Sequence, residues 1–380
     1  MVIHMEHLRL EERKMRKIEN IGFAGLGLIG GTIARAIRNV YPDSLICAYD
    51  PDLAALRESR FDGVIDRALG SVEELASCDL IFFCAPVALN CENMAALAPF
   101  VKEEMILTDV SSVKGSIHKA VRSLGLSGHF IGGHPMTGSE RTGYRNSDPA
   151  LLENAYYLLA PEPEFPEEAT VWMNDFIRSL GALPLTVSCE EHDFATAAIS
   201  HVPHVIAASL VNLVRDSDSP DEIMHTIAAG GFKDITRIAS SSPVMWQHIL
   251  LNNKDNILKL VDSYTAELTR IREAIAAGNA DRIYDFFDSA RTYRDSFDTI
   301  HSRSAHKVYF IHVDIADRPG LIAEVSTILA INNINIKNIG INHNREFQEG
   351  VLRVEFNSHE ELVNAARLLQ DRRFVVHLPE

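Results

Sequence analysis

Three glycines at fixed spacing, Gly25-Leu26-Gly27-Leu28-Ile29-Gly30, follow the apolar run 21–24 and open a stretch with Ile29, Ile33, Ala36 and Ile37 on one helical face. Few folds make use of that arrangement. Gly25 permits a tight turn, Gly27 lets the backbone approach a pyrophosphate, and Gly30 lets helix and strand pack closely. The helix start, with Leu28 and Ile29 as its first residues, offers free N–H groups and a positive dipole end to phosphates. Asp50 closes the next apolar run, where a carboxylate accepts hydrogen bonds from ribose hydroxyls and repels a 2′-phosphate. No arginine adjoins Asp50-Pro51-Asp52, so the pattern predicts NAD rather than NADP. The competing reading is a dinucleotide fold that has lost its cofactor.

The rest of the chain divides by pattern. From 18 to 187, candidate strands at 21–24, 45–49, 80–85, 105–110, 129–131, 156–160 and 185–187 alternate with amphipathic stretches, which predicts a parallel α/β sheet of Rossmann type. From 188 to 304 the strand signals stop. Long helices are expected over 202–214 and 253–277, the second with Ile257, Leu260, Val261, Tyr264, Leu268, Ile271 and Ile275 at helical spacing. Such an all-α domain, expected to be mostly buried, is a natural dimer interface. From 305 to 380, strands at 308–316, 335–341, 351–356 and 373–378 and helices at 319–332 and after Ser358 follow the order βαββαβ of the ferredoxin-like unit. Residues 1–17 form a charged extension without the apolar core of a secretory signal.

Composition narrows the partners. With 36 basic and 52 acidic residues the net charge is −16, which argues against a nucleic-acid surface or attraction to anionic membranes. The uncharged apolar runs are about half the length of a bilayer span. Five scattered cysteines without a Cys-x-x-Cys pair fit reduced thiols and a cytoplasmic location, and no ligand set for a metal is evident.

Four segments carry more polar and glycine character than a core requires: Asp109-Val110-Ser111-Ser112-Val113-Lys114, Gly132-Gly133-His134-Pro135-Met136-Thr137-Gly138-Ser139-Glu140, Ser200-His201-Val202-Pro203-His204, and Gly230-Gly231-Phe232-Lys233-Asp234-Ile235-Thr236-Arg237. The first two fall just after strand ends, where open α/β sheets bind ligands. His134 is placed to act as a general base, since a hydroxyl oxidised by hydride loss must also lose its proton. His201 and His204 flank Pro203 at an expected helix start, and one can face a cleft while the other caps or packs. Lys233 and Arg237, four apart, could bind a carboxylate, although taken alone the pair reads first as a solvated surface.

In this order, behind the glycine-rich loop, these segments resemble the prephenate dehydrogenase family, and the resemblance runs from about residue 18 to residue 301. It implies NAD-dependent oxidative decarboxylation of prephenate to 4-hydroxyphenylpyruvate on the route to tyrosine. Carried over by motif, His134 accepts the C4 hydroxyl proton, Ser112 hydrogen-bonds beside it, and Arg237 binds a substrate carboxylate. Ser200 and His204 match substrate-pocket positions, with Ser139, Lys233, Gly231 and Trp246 nearby.

The C-terminal segment, with Asp317-Arg318-Pro319-Gly320-Leu321 and Asn335-Ile336, resembles an ACT domain, a small module that usually binds an amino acid. That implies feedback by L-tyrosine at Asp317, Arg318, Gly320 and Leu321; a homodimer through the helical domain is expected, which paired ACT domains would either support or extend to a tetramer. Two alternatives remain open at this level: the same chemistry on arogenate, and a non-catalytic NAD and amino-acid sensor.

Overall fold

The computed structural model describes residues 18–138, 141–301, 309–316, 319–343, 349–356 and 358–378. The chain forms two compact units, 1–266 and 267–380.

In the first unit, strands β1 (Asn20–Ala24), β2 (Leu45–Tyr49), β3 (Arg67–Ala68), β4 (Leu80–Phe83), β5 (Ile106–Asp109), β6 (Phe130–Pro135), β7 (Tyr156–Pro161) and β8 (Leu183–Thr186) form one sheet. Its order is β3-β2-β1-β4-β5-β6-β7-β8. Helices α1 (Leu28–Val40), α2 (Leu53–Phe61), α3 (Val87–Leu97), α4 (Gly115–Ser123) and α5 (Glu167–Ser179) lie between the strands in sequence. Two apolar clusters form the core. One gathers Ile21, Phe23, Ile33, Ile37 and Phe82, and the other Ile81, Phe83, Leu107, Ile117 and Phe130. β4 contributes alternate residues to each, as expected of a central strand covered on both sides.

The expected all-parallel sheet is corrected at one edge. β6 pairs antiparallel with β7, and β8 runs parallel to β7. Among its described residues, the connection between β6 and β7 contains two short 3₁₀ turns, Tyr144–Asn146 and Pro149–Leu152, and no crossover helix. A parallel return would need that crossover. β3 is a further short strand that the sequence did not signal.

Beyond Ser188, whose hydroxyl caps the chain in a reciprocal pair with Glu191, the unit is helical. α6 (Cys189–Thr196) passes through a π-helical turn, Ala197–His201, directly into α7 (Val202–Ser217). The helix start expected at Pro203 is therefore a helix interior. A π turn absorbs the hydrogen bond that proline cannot donate. Then follow α8 (Ile223–Ile227), α9 (Gly230–Thr236), α10 (Pro243–Asn252) and α11 (Lys254–Ala276), the last crossing the division between the units.

The apolar stripe of α11 is not mostly buried as expected. Ile257 is buried, but Leu268 and Ile275 are 48% and 62% exposed.

The second unit adds α12 (Ala280–His301) and then β9 (Tyr309–Ala316), α13 (Leu321–Ala330), β10 (Asn338–His343), β11 (Glu349–Phe356), α14 (His359–Gln370) and β12 (Val376–His377). The four strands form an antiparallel sheet, β10-β11-β9-β12. Its core packs Ile311, Val313, Leu352 and Val354 against Val325, Leu329, Leu362 and Leu369 of the two helices. This is the βαββαβ order expected from the pattern. β10 begins at Asn338, later than expected. Ser358 caps α14 by accepting the Glu361 N–H.

Candidate active site

The carboxyl ends of β1, β4, β5 and β6 share one edge of the sheet, and the loops leaving them carry the polar residues. At β1, Gly25 has φ +103°, and a Cβ there would lie 2.9 Å from the Ala85 nitrogen. A Cβ on Gly30 would lie 2.4 Å from the Gly25 carbonyl oxygen, whereas Gly27 opens onto free space. Helix α1 starts at Leu28 with no side chain capping it and no acidic residue in its first turn. Its positive end is left for an anion.

Asp50 accepts the Leu26 N–H at 2.6 Å and the Asp52 N–H at 2.7 Å, one on each oxygen. That fixes the carboxylate at the end of β2 and leaves lone pairs for diol hydroxyls. The cradle fits a dinucleotide.

Next to it, the loops after β4 and β5 are tied together by buried Asn90. Its Oδ1 accepts the Ala85 N–H, while its Nδ2 donates to the Phe83 carbonyl and to Ser111 Oγ. The Lys114 ammonium is fully buried and donates to both Asp109 oxygens, at 2.5 and 2.6 Å, and to the Gly133 carbonyl at 2.6 Å. Asp109 also accepts the N–H groups of Ser111 and Gly133. Burial pulls the Lys114 pKa down and the Asp109 charge opposes it. Gly133 has to be glycine, because a Cβ would fall 2.5 Å from the Asp109 carbonyl oxygen.

This clamp holds His134 at the end of β6. His134 Nδ1 lies 2.8 Å from His192 Nε2, and His192 Nδ1 lies 2.8 Å from Asp193 Oδ1. Asp193 in turn accepts the N–H groups of Lys114 and Gly115 at 2.7 and 2.8 Å. The His134 pKa is held well below 6.5, chiefly by burial, with His192, Lys114 and His201 adding to the effect. His134 is therefore neutral at neutral pH, as a base must be before it acts. Protonation as pH falls through that lowered pKa would remove the base. Where proton abstraction limits the reaction, we expect the acid limb of a kcat/KM profile below pH 6.5; a limb above that value would place the base elsewhere.

A second cluster builds on the π turn. His204 donates its Nδ1–H to the Ser200 carbonyl at 2.8 Å and stacks on Trp246 with ring centroids 3.8 Å apart. The Arg237 charge acts on His204 and, after burial, helps lower its pKa. Lys233 and Gly231 are exposed on α9. His201 is buried instead of facing a cleft, its pKa pulled to about 4 by burial, and it meets the Asn253 amide at 3.2 Å.

Of the expected residues, Ser112 is half-buried in the loop after β5. Among the described residues it makes no hydrogen bond to His134, and it is Ser111 that enters the network. Ser139, Asp317 and Arg318 lie outside the described residues. Gly320 has φ +87° and caps α13, and Leu321 is buried.

Sequence reasoning missed His192, Asp193, Asn90 and Asn253. The Glu190-Glu191-His192-Asp193 run reads as a solvated helix start, and the only hint was its nearness to a cap. A separate open groove of about 560 Å³, lined by Arg35, Arg57, Phe61 and Tyr144 among others, lies on α1 and α2. Its Arg35–Asp62 and Arg145–Glu58 pairs already compensate one another's charge.

Two family models cover this architecture. Residues 33–184 match the prephenate dehydrogenase nucleotide-binding domain, and residues 188–289 match the prephenate dehydrogenase dimerization domain. The chain belongs to the prephenate dehydrogenase family. Among similar proteins, a prephenate dehydrogenase of Bacillus subtilis is 36% identical over 93% of this chain and 96% of its own. A cyclohexadienyl dehydrogenase of Zymomonas mobilis is 32% identical over 76% of this chain and 99% of its own. In structure, the prephenate dehydrogenase of A. aeolicus in complex with hydroxyphenyl propionate and NAD⁺ matches with TM-score 0.70 and 27% identity. That match covers 74% of this chain and 99% of the other.

Membership of the prephenate dehydrogenase family makes this chain a dehydrogenase with a nucleotide-binding domain. It also bears on the continuous helix Cys189–Ser217, whose length and an 18-residue stretch of mean hydropathy 1.5 would suffice on their own to cross a membrane. That helix lies within the region matched by the dimerization domain, and its His192, Asp193, His201 and His204 belong to the clusters above.

Proposed function

We propose that the chain catalyses NAD-dependent oxidative decarboxylation of prephenate to 4-hydroxyphenylpyruvate. The observation that carries this reading is a neutral, partly buried histidine, His134, on the same sheet edge as the dinucleotide loop. What NAD⁺ supplies when bound is an acceptor for the hydride of ring C4. His134 takes the C4 hydroxyl proton, the C1 carboxylate leaves as CO₂, and the ring becomes aromatic as the imidazolium returns that proton to the C4 oxygen. Aromatisation provides most of the drive, so the residues mainly need to align C4 and hold the base. Asp50 selects a free 2′-hydroxyl, and Gly25, Gly27, Leu28, Ile29 and Gly30 hold the pyrophosphate.

Prephenate is a dianion, and a chain of net charge −16 must recruit it with local positive charge. Arg237, with Lys233 nearby, supplies it. Ser200, His204, Trp246 and Gly231 are assigned to the substrate pocket, Ser139 joins them by its motif alone, and Ser112 orients the hydroxyl. Replacing Arg237 by glutamine is expected to raise the prephenate KM by about tenfold or more, the loss of a charge-assisted hydrogen bond of ~1.5–3 kcal/mol, with kcat changed less. Steady-state kinetics check this, and an unchanged KM would move the carboxylate site elsewhere.

The organisation we infer is 18–187 for the nucleotide, 188–304 for substrate and dimerisation, and 305–380 as an ACT regulatory domain, with 1–17 as an extension. The exposed Leu213, Leu251, Leu258 and Leu268 of the helical region support a homodimer, because a monomer rarely leaves so much apolar surface in water. Light scattering should give twice the 42.2 kDa chain mass, or four times if the C-terminal domains also pair; a monomer would contradict it.

The βαββαβ unit, with the αL residue Gly320 at the start of α13, supports binding of an amino-acid carboxylate there. The proposed ligand is L-tyrosine, held by Asp317, Arg318, Gly320 and Leu321. Similarity to the solved arogenate dehydrogenase of Synechocystis, 26% identical with TM-score 0.67, keeps arogenate as a second substrate in view. Comparing kcat/KM for prephenate and arogenate, each with and without L-tyrosine, tests the substrate and its regulation together. Prephenate preference with suppression by tyrosine is the expected result.

A further inference from the structure

The contact between His134 and His192 leaves few choices for where the protons sit. Asp193 Oδ1 can only accept, so the proton on that bond belongs to His192 Nδ1. Burial holds His192 below its ordinary pKa, so it is neutral and its Nε2 is a bare lone pair. The 2.8 Å contact to His134 then requires a proton on His134 Nδ1. Neutral His134 is left with Nε2 unprotonated.

We propose that His192 and Asp193 are positioning residues that lock His134 in the tautomer whose Nε2 accepts the substrate proton. The inference rests on the reading of His134 as the base. When Nε2 takes the C4 hydroxyl proton, His134 becomes an imidazolium whose Nδ1–H still points at His192 Nε2. The new positive charge is then stabilised through His192 by the Asp193 carboxylate while the C4–H electron pair leaves as hydride to NAD⁺ and C4=O forms, and the proton returns to that oxygen when CO₂ departs.

Asp193 cannot swing away to solvent, because its two oxygens also receive the Lys114 and Gly115 N–H groups at the start of α4. Its backbone carbonyl accepts from Asn253 at 2.7 Å. The other charged or titratable groups acting on His134 are Lys114, at the start of α4, and His201, in the π turn. Lys114 opposes a second proton on His134 before substrate arrives, and Asp193 favours it once the reaction begins.

Three variants test this: His192→Leu, His192→Gln and His134→Ala. Nitrogen-15 histidine spectra read the tautomer directly, with the His134 signals identified by their loss in His134→Ala. The wild-type protein should show a pyridine-type Nε2 on His134. His192→Gln should keep it, since an amide oxygen can accept the Nδ1–H while the amide nitrogen donates to Asp193. His192→Leu should show both tautomers.

In activity, His192→Leu should lose about 10²-fold in kcat, at the lower end of what a positioned base contributes. Its prephenate KM and thermal midpoint should stay near wild type, and His192→Gln should recover most of the loss. A wild-type His134 with Nδ1 unprotonated would overturn the proposal. So would a leucine variant at full kcat, or equal losses in both His192 variants with equally lowered thermal midpoints. Full activity in His134→Ala would instead overturn the base assignment itself, an outcome that the tautomer spectra keep separate.

Discussion

Replacing His134 by asparagine is expected to lower turnover of prephenate by about 10²–10⁴-fold, the range over which a positioned base contributes. Nucleotide affinity should stay near wild type, because the cradle is built at the other strand ends, from Gly25, Gly27, Gly30 and Asp50. Asparagine retains a polar group near His192 but has nothing at the place of Nε2. Stopped-flow and steady-state NADH formation, with nucleotide binding followed by fluorescence, separate the two effects. Unchanged turnover would remove His134 from the chemistry.

The second large effect is on stability. Lys114→Met leaves the Asp109 carboxylate fully buried with no counter-charge, where it still receives the Ser111 and Gly133 N–H groups. Breaking a buried pair from one side costs about 3–5 kcal/mol, because the remaining ion is desolvated without compensation. For a unit of this size that lowers the thermal midpoint by roughly 6–20 °C. Adding Asp109→Asn to the same chain removes the stranded charge and should recover part of the loss. Calorimetry of the single and double variants checks both statements, and a single variant within about 2 °C of wild type would mean that the pair contributes little.

The parts of this molecule legible in the sequence are those where backbone geometry dictates residue type. At Gly25 and Gly30 a Cβ has no room, so the nucleotide loop announces itself. The same holds at Gly133, which marks the strand end that carries His134. Strand direction is a different matter. An apolar run such as 156–160 reads the same parallel or antiparallel, and only the missing crossover helix reveals that β7 runs against β6.

Pro203 reads as a helix start because proline favours the first turn, and a π turn hides the exception. His192 and Asp193 were illegible for a further reason. Their burial is created by partners 58 and 79 residues earlier in the chain, which no local pattern encodes. The apolar stripe of α11 was visible, but its period does not say whether the same chain or another covers it.

The most direct test of the central claim is the stoichiometry of the reaction. Purified protein supplied with NAD⁺ and prephenate should form NADH, CO₂ and 4-hydroxyphenylpyruvate in equal amounts, and the His134→Asn variant should form all three slowly and in the same ratio. Nucleotide binding without prephenate-dependent NADH, or NADH without CO₂, would contradict the account.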